Sequence, residues 1–350
     1  MWGYIIRRLL SGLVVLCAIT MVTFLIDRVV PFDPACVVLN CFGSGAATPA
    51  QLKAEDHRLG VDRPIYVQYG KFVWRLIRHG SFGNSWRGVE IDTALRAALP
   101  QTASIVLGGV FVLLLLAIPL AVVSATRAQT LIDRTILLVS IFGIAFHPFI
   151  IGFLLRRTFA EHLHLAPAYD YCPLHGQAAV LYPPSLNGLL PPSGQTFKAC
   201  VGPLGWAHHL VLPWFTFALF FLPIYVRLIR GRILETFQQP HVAAARAKGA
   251  SELRLLRSHV LRLALLPLAA MVALDIGGAL MASIYIEYVY NFNGLGKLVV
   301  SLLAGDHIGY DLPLIAAIFF TIAAIIVVLN LIADLVHGSL DPRVRIRADA

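Results

Sequence analysis

Charge is the scarcest property of this 350-residue sequence. Asp, Glu, Lys and Arg together make up 13% of it, whereas 58% is hydrophobic, and the mean hydropathy is +0.76. A soluble chain this apolar would have to hide more surface than one core can take, so long uncharged runs point to a polytopic membrane protein. Low-complexity tracts are missing, and no internal repeat is evident. A secondary transporter built from inverted repeats therefore finds no support. Nucleotide-binding loops are missing too. "GLGKL" (294–298) has Asn291 where the upstream glycine is required and Leu298 in place of the Ser or Thr that would hold magnesium. Zinc-type Cys-His spacing is also missing. His162, His164 and His175 share a loop with Tyr169, Tyr171 and Tyr182, and both sets read as ordinary loop residues. No catalytic residue, metal site or nucleic-acid partner is expected.

The amino terminus, "MWGYIIRRLLSGLVVLCAITMVTFLIDRVVP", places basic residues before an apolar stretch. That stretch is longer than a signal-peptide core and has no small-x-small site before Pro31, so it is expected to remain as a span. Crossing the hydrocarbon core takes about 20 apolar residues. That rule predicts spans near 9–29, 102–125, 132–154, 209–229, 264–286 and 312–336. The stretches 103–125 and 312–333 contain no charge at all. Six spans put both termini on one side. Arg7, Arg8, Arg127, Arg134, the basic stretch 246–262, Arg343, Arg345 and Arg347 then share that side, which the positive-inside rule makes cytoplasmic. The long segment at about 30–100 is basic as well, but long loops translocate largely regardless of charge.

The stretch "RAKGASELRLLRSHVLR" gathers Arg246, Lys248, Arg254, Arg257, His259 and Arg262 around one glycine. Ala243, Ala244, Ala245 and Ala247 make a small-residue helix before Gly249, which suits a left-handed turn. Ser251 and Glu252 suit the start of a second helix, on which Leu253, Leu256 and Val260 recur at helical spacing. The residues alone allow two readings: a helix lying on anionic lipid, or a surface that a partner's groove approaches closely.

The same stretch resembles the coupling loop of ATP-binding-cassette importer permeases, in particular the peptide/nickel branch. Ala245–Gly249 and His259–Pro267 align well, while Ala243 stands where that family has Glu. The opening "MWGYIIRRLLSGLVVL", "RVVPFDPA", "RLGVDRPIYVQYGKFVWRLIRHGSFGNSW", "EYVYNFNGLGKLV" and "NLIADLVHGSLDPRVR" are similar to segments of that branch in the same order. The amino-terminal style is that of its B-type subunit. The resemblance implies an all-α polytopic membrane protein with about six transmembrane helices, the type I importer permease fold and a long first extracytoplasmic loop. Its parts would be a first helix with an extracytoplasmic segment (1–93), a transmembrane domain (94–337) with a coupling loop at 230–262, and a cytoplasmic tail (338–350). It further implies a prokaryotic inner-membrane location and a second, C-type permease as partner. Two ATP-binding subunits would hold the ATP and magnesium that this chain cannot, and an extracytoplasmic binding protein would deliver cargo. Residues Ala243, Ala244, Ala245, Arg246, Ala247, Lys248 and Gly249 would couple to the ATPase. The commonest cargo on this scaffold is a di- or oligopeptide; nickel chelates, glutathione and oligosaccharides share it.

Two features are read from the residues directly. Asp275 lies inside the fifth span, where a lipid-facing carboxylate costs at least about 2.5 kcal/mol. It is expected to face a translocation path, with Gly277 and Gly278 making room beside it. The alternatives are a structural hydrogen bond to a neighbouring span, or a proton carrier in a secondary transporter. Four of the five cysteines lie outside the apolar runs. Keeping each bridge within its own loop predicts disulfides Cys36–Cys41 and Cys172–Cys200, with Cys17 free.

Overall fold

A computed structural model describes residues 2–29, 33–39, 41, 47–167, 169–174, 202–304 and 311–340. Among these residues the chain is helical without a strand, apart from one isolated bridge between Asn84 and Glu90. The first apolar run forms α1 (Trp2–Val29). The long segment after it folds into α2 (Pro34–Leu39), α3 (Pro49–Leu59) and α4 (Ile65–His79). Local chemistry sets these boundaries. Thr48 and Gln51 cap the start of α3 reciprocally, Pro49 occupies its first turn, and Gly60 ends it at φ +71°.

The second span belongs to α5 (Ile91–Thr126), which begins about a dozen residues before the expected boundary. Its extra turns are amphipathic, burying Ile91, Leu95 and Ala98, and so continue past the apolar run. The third span breaks into α6 (Leu131–Ala145) and α7 (Pro148–Leu155). Pro148 forces the preceding His147 into extended backbone, φ −63° and ψ 146°, and the His147 ring accepts a hydrogen bond from the Phe149 amide at 3.3 Å. A π-helical turn, Arg156–His162, follows. The chain continues through α8 (Gly202–Phe237), α9 (Pro240–Ala247), α10 (Glu252–Leu255), α11 (Leu261–Ala264), α12 (Leu266–Val289), α13 (Leu295–Leu303) and α14 (Leu312–Leu340). Among the described residues three helices are long and apolar enough by themselves to cross a membrane: α5, α8 and the Leu312–Ile332 part of α14. Helix α1, the α6–α7 pair and α12 occupy the other three expected positions.

The centre of the bundle is the seam between α5 and α8. On α5, Ile105, Gly109, Leu113, Ala117 and Ala121 recur four residues apart and are buried, while Leu107, Phe111 and Leu115 face outward. The opposing α8 contributes Leu210, Phe217, Tyr225, Ile229 and Ile233. Backbones approach closely where α5 has glycine. A Cβ added to Gly108 would fall inside the Trp214 indole, and one on Gly109 would stand 2.5 Å from the Phe217 ring. The Trp214 indole N–H donates to the Ser104 carbonyl at 2.8 Å, so the contact is both steric and polar. Lipid offers apolar side chains no less than a neighbouring helix does, so small residues that bring helices together are what association rests on. The same device joins α1 to α14, where a Cβ on Gly12 would stand 2.6 Å from Val327. A second core, of Trp86, Ile91, Leu95, Leu298, Leu302, Leu312 and Ile315, knits the end of α5 to α13 and α14.

Gly108→Leu is expected to destabilise the seam by about 1–3 kcal/mol through overpacking. Gly231→Ala, on α8 with nothing within 4 Å of the added carbon, is expected to be neutral or mildly stabilising. Thermal unfolding of the detergent-purified protein measures both, and equal melting temperatures would contradict the seam.

Candidate functional site

At one end of the bundle α8 runs into a hook. Helix α9 begins with Pro240 in its first turn and buries Val242 completely against the bundle. This anchor leaves Ala243, Ala244, Arg246, Ala247, Lys248 and Gly249 exposed, with Ala245 half-buried. Gly249 adopts φ +83°, with its amide bonded to the Arg246 carbonyl at 3.0 Å and the Ala250 amide to that of Ala245 at 3.3 Å. No atom crowds the position where a Cβ would sit. The glycine is needed for its backbone angle alone. Across the turn the Arg246 guanidinium grips Glu252 in a bidentate pair, at 2.8 and 3.0 Å. That pairing holds Glu252 below the usual carboxylate range, so the clasp is charged at neutral pH. A recess of about 530 Å³ lies beside the hook, lined by His241, Ala244, Lys248, Gly249, Arg254 and His259 among others.

The second half of the loop differs from one continuous helix. Helix α10 is four residues long, a π-helical turn covers Leu256–Val260, and α11 leads into α12. Leu255 and Val260 are fully buried, whereas Leu253, which the helical spacing had placed on the apolar face, is 57% exposed. The extra residue per turn of the π segment rotates the face. Ahead of the hook, α8 is fastened to the start of α6. Arg230 of α8 makes a bidentate pair with Asp133 at 2.8 and 2.7 Å, and Asp133 also accepts from Ser124 at 2.5 Å and from the Gln129 amide at 2.8 Å.

Within the bundle, Asp275 is half-buried and accepts a hydrogen bond from the Tyr225 hydroxyl of α8 at 2.8 Å. The crevice beside the pair is about 10 Å³, room for no more than a single water. Gly277 is half-buried and Gly278 exposed. Asp275 and Gly278 start a stripe along α12 that continues through Met281, Tyr285 and Tyr288, which are also exposed. The His147 ring packs edge-on against Tyr285 at 4.2 Å.

At the opposite end, Glu287 is completely buried. It accepts from the Thr102 hydroxyl of α5 at 2.7 Å and from the Lys297 amide of α13 at 2.8 Å. Thr102 in turn accepts from the Leu295 amide at 2.8 Å. The "GLG" segment is thus the start of α13 folded onto a carboxylate, and a Cβ at Gly294 would stand 2.5 Å from that carboxyl group. Sequence reasoning quoted the "EYVYNFNGLG" pattern but assigned Glu287 no role, because its partner Thr102 is 185 residues away.

Residues 117–346 match the family described as "Binding-protein-dependent transport system inner membrane component", and residues 1–87 match the amino-terminal family of the same components. The chain belongs to this permease family. Similar proteins span its whole length. The oligopeptide transport system permease protein AppB of Bacillus subtilis is 30% identical over 98% of this chain and 99% of its own. The probable D,D-dipeptide transport system permease protein DdpB of Escherichia coli is 28% identical over 98% of this chain and 97% of its own. A putative peptide permease of Brucella suis is 27% identical over 99% of this chain and all of its own. The permease is therefore a multi-pass inner-membrane transport subunit that works with other subunits.

The cysteines of the permease depart from expectation. Cys36 and Cys41 are free thiols, not a disulfide. Helix α2 ends between them, and the Cys41 amide closes that end on the Cys36 carbonyl at 3.0 Å. The two thiols meet in a hydrogen bond. Cys17 is also free. Cys172 is buried and disulfide-bonded, and its expected partner Cys200 lies outside the described residues. Of the loop histidines, His162 and His164 are exposed, and His175 lies outside the described residues, as does Tyr182. Tyr171 shares a hydrogen bond with Ser104 at 3.2 Å and packs on Phe292, while Tyr169 lies under the Arg156 guanidinium.

The hydrogen bond to Cys41, then burial, push the Cys36 thiol up to about 11. Only the thiolate alkylates, so the rate at Cys36 is expected to climb about tenfold per pH unit to near pH 11. Peptide mass mapping after iodoacetamide without reductant reads this. A plateau near pH 9 would contradict the thiol pair, and complete resistance would restore the disulfide.

Proposed function

We propose that this permease carries di- or oligopeptides through the membrane by ATP-driven alternating access, paired with a second, C-type permease. The observation that carries the reading is the hook at Pro240–Glu252. It is a short helix of exposed alanines anchored by Val242 and closed by a left-handed glycine and the Arg246–Glu252 pair. Small side chains let a partner's groove approach the backbone. The hook continues directly from α8, and the Arg230–Asp133 pair joins α8 to the start of α6. In this reading two ATP-binding subunits grip the hooks of the two permeases. ATP binding draws the hooks together, and the α5–α8 seam carries that movement to the far end. The hook and both termini then lie in the cytoplasm, and an extracytoplasmic binding protein delivers cargo to the opposite face. The peptide assignment is supported by what the Bacillus and Escherichia relatives are named for transporting.

The path is assigned to the α12 stripe of Asp275, Gly278, Met281, Tyr285 and Tyr288, facing the second permease. Its chemistry suits a peptide. Two tyrosines and a methionine offer adaptable apolar contact with polar tips, and the carboxyl group offers a partner for a free amino group. The Tyr225 hydroxyl orients that carboxyl group toward the seam while leaving its second oxygen available.

Gly249→Val is expected to cost about 1–2 kcal/mol locally, because a β-branched residue resists φ +83°. The complete assembly should then lose ATP-driven uptake or its ATPase subunits, while Arg345→Ala in the tail should do little. Normal uptake with normal co-purification in the Gly249 variant would refute the coupling role. Asp275→Asn keeps the shape and the Tyr225 bond but removes the charge. It is expected to lower uptake of cationic peptides relative to neutral ones; an unchanged ratio in an assembled variant would leave Asp275 a packing residue.

A further inference from the structure

A cavity of about 560 Å³ lies where the α3–α4 region meets the start of α14. Arg58, Arg63, Lys71 and Arg75 line it without a single carboxylate, over an apolar floor that includes Phe72, Phe82 and Pro313. Arg58 is paired with Glu55, and Arg75 reaches the Phe82 carbonyl at 3.4 Å. Arg63 and Lys71 have no acidic partner among the described residues. Two cations beside an apolar floor suit a molecule with one anionic and one greasy end.

The level of the cavity is set by its neighbours. Pro313 belongs to the first turn of a membrane-crossing helix. Tyr69 of α4 shares a hydrogen bond with Thr20 of α1 at 3.0 Å and donates to the Cys17 carbonyl at 3.3 Å. Both lie within the apolar Leu9–Thr23 run. Helix α4 therefore rests against the apolar run of α1. Its outward face is apolar: Tyr66, Trp74 and Ile77 are 73%, 60% and 76% exposed. At 100° per residue, Lys71, Arg75 and Arg78 lie on the adjoining face. Aromatic and aliphatic residues beside a basic edge are the pattern of a helix lying in the headgroup plane.

We propose that this cavity binds the headgroup of an anionic phospholipid from the adjacent leaflet, through Arg63, Lys71 and Arg75, with the acyl chains covering the apolar face of α4. Lipid is favoured over a docked soluble protein because a protein would leave Tyr66, Trp74 and Ile77 in water or require its own matching apolar patch. A lipid satisfies the basic rim and the apolar face together and is continuous with the outward-facing surface of α1, where Leu9, Leu13, Val14 and Met21 are exposed.

The test uses the complete assembly, purified in detergent and stripped of lipid. Phosphatidylglycerol is titrated in and bound lipid is read by native mass spectrometry, with phosphatidylcholine and inorganic phosphate as comparison probes. Phosphatidylglycerol is expected to bind saturably and phosphatidylcholine weakly. Arg63→Gln with Lys71→Gln should weaken phosphatidylglycerol binding roughly thirtyfold, the effect of two charges removed beside a lipid headgroup. Co-purification of the partner subunits checks that this variant assembles. If it does not, Trp74→Gln with Ile77→Gln decides the matter, because it removes the apolar half and should weaken lipid binding without affecting phosphate. Equal phosphatidylglycerol binding in an assembled variant overturns the proposal. Inorganic phosphate displacing the lipid at comparable concentration would make this a simple anion site, and reduced affinity for the binding protein with unchanged lipid retention would make it a protein-docking surface. Either result overturns the lipid assignment.

Discussion

The contact on which this permease depends is the close approach of α5 and α8 at Gly108 and Gly109. In a bilayer, apolar side chains gain little by leaving lipid for one another. Helix association therefore rests on backbone proximity and on polar bonds that have no better partner in hydrocarbon. The two glycines admit Trp214 and Phe217, and the indole N–H closes the seam onto the Ser104 carbonyl. Several of the other polar links in the bundle start from one of these two helices: Tyr225 and Arg230 are on α8, and Thr102 and Ser124 on α5.

That arrangement gives the molecule two ends with different mechanical characters. At the hook, the polar groups are charged and near the surface. Arg246 and Glu252, both exposed, clasp the short helix without burying it. An exposed ion pair is individually weak, so the hook is held more loosely than the buried core. At the other end, Glu287 is fully enclosed, with Thr102 and the amides of α13 as its donors. A buried carboxyl group with several donors is costly to disturb, so α13 is tied rigidly to α5 and α12.

The basic cavity near α4 extends the same logic outward. Helix α4 is fastened to α1 through Tyr69, and α1 to α14 through Gly12 and Val327. The peripheral helices are thus attached to the bundle by a few contacts each. Material held between α4 and the end of α14 acts on that attachment rather than on the central seam.

The sequence by itself determined what depends on runs of about twenty residues or on single backbone angles. The three long apolar helices and the turn at Gly249 are of this kind, because hydropathy and φ are local properties. The break before Pro148 and the π-helical turn at Leu256–Val260 were harder to read. The first needs only one proline inside an otherwise unbroken apolar pattern, and the second leaves the composition of the helix unchanged. Only the tertiary structure decided which polar groups meet. Asp275 finds Tyr225 across 50 residues and Glu287 finds Thr102 across 185. Cys36 and Cys41, near enough in sequence to suggest a bridge, are instead hydrogen-bonded thiols at a helix end. Pairings of this kind follow from how whole helices rotate and approach, and helix rotation is set by glycine contacts such as that of Gly108 with Trp214, which no local pattern encodes.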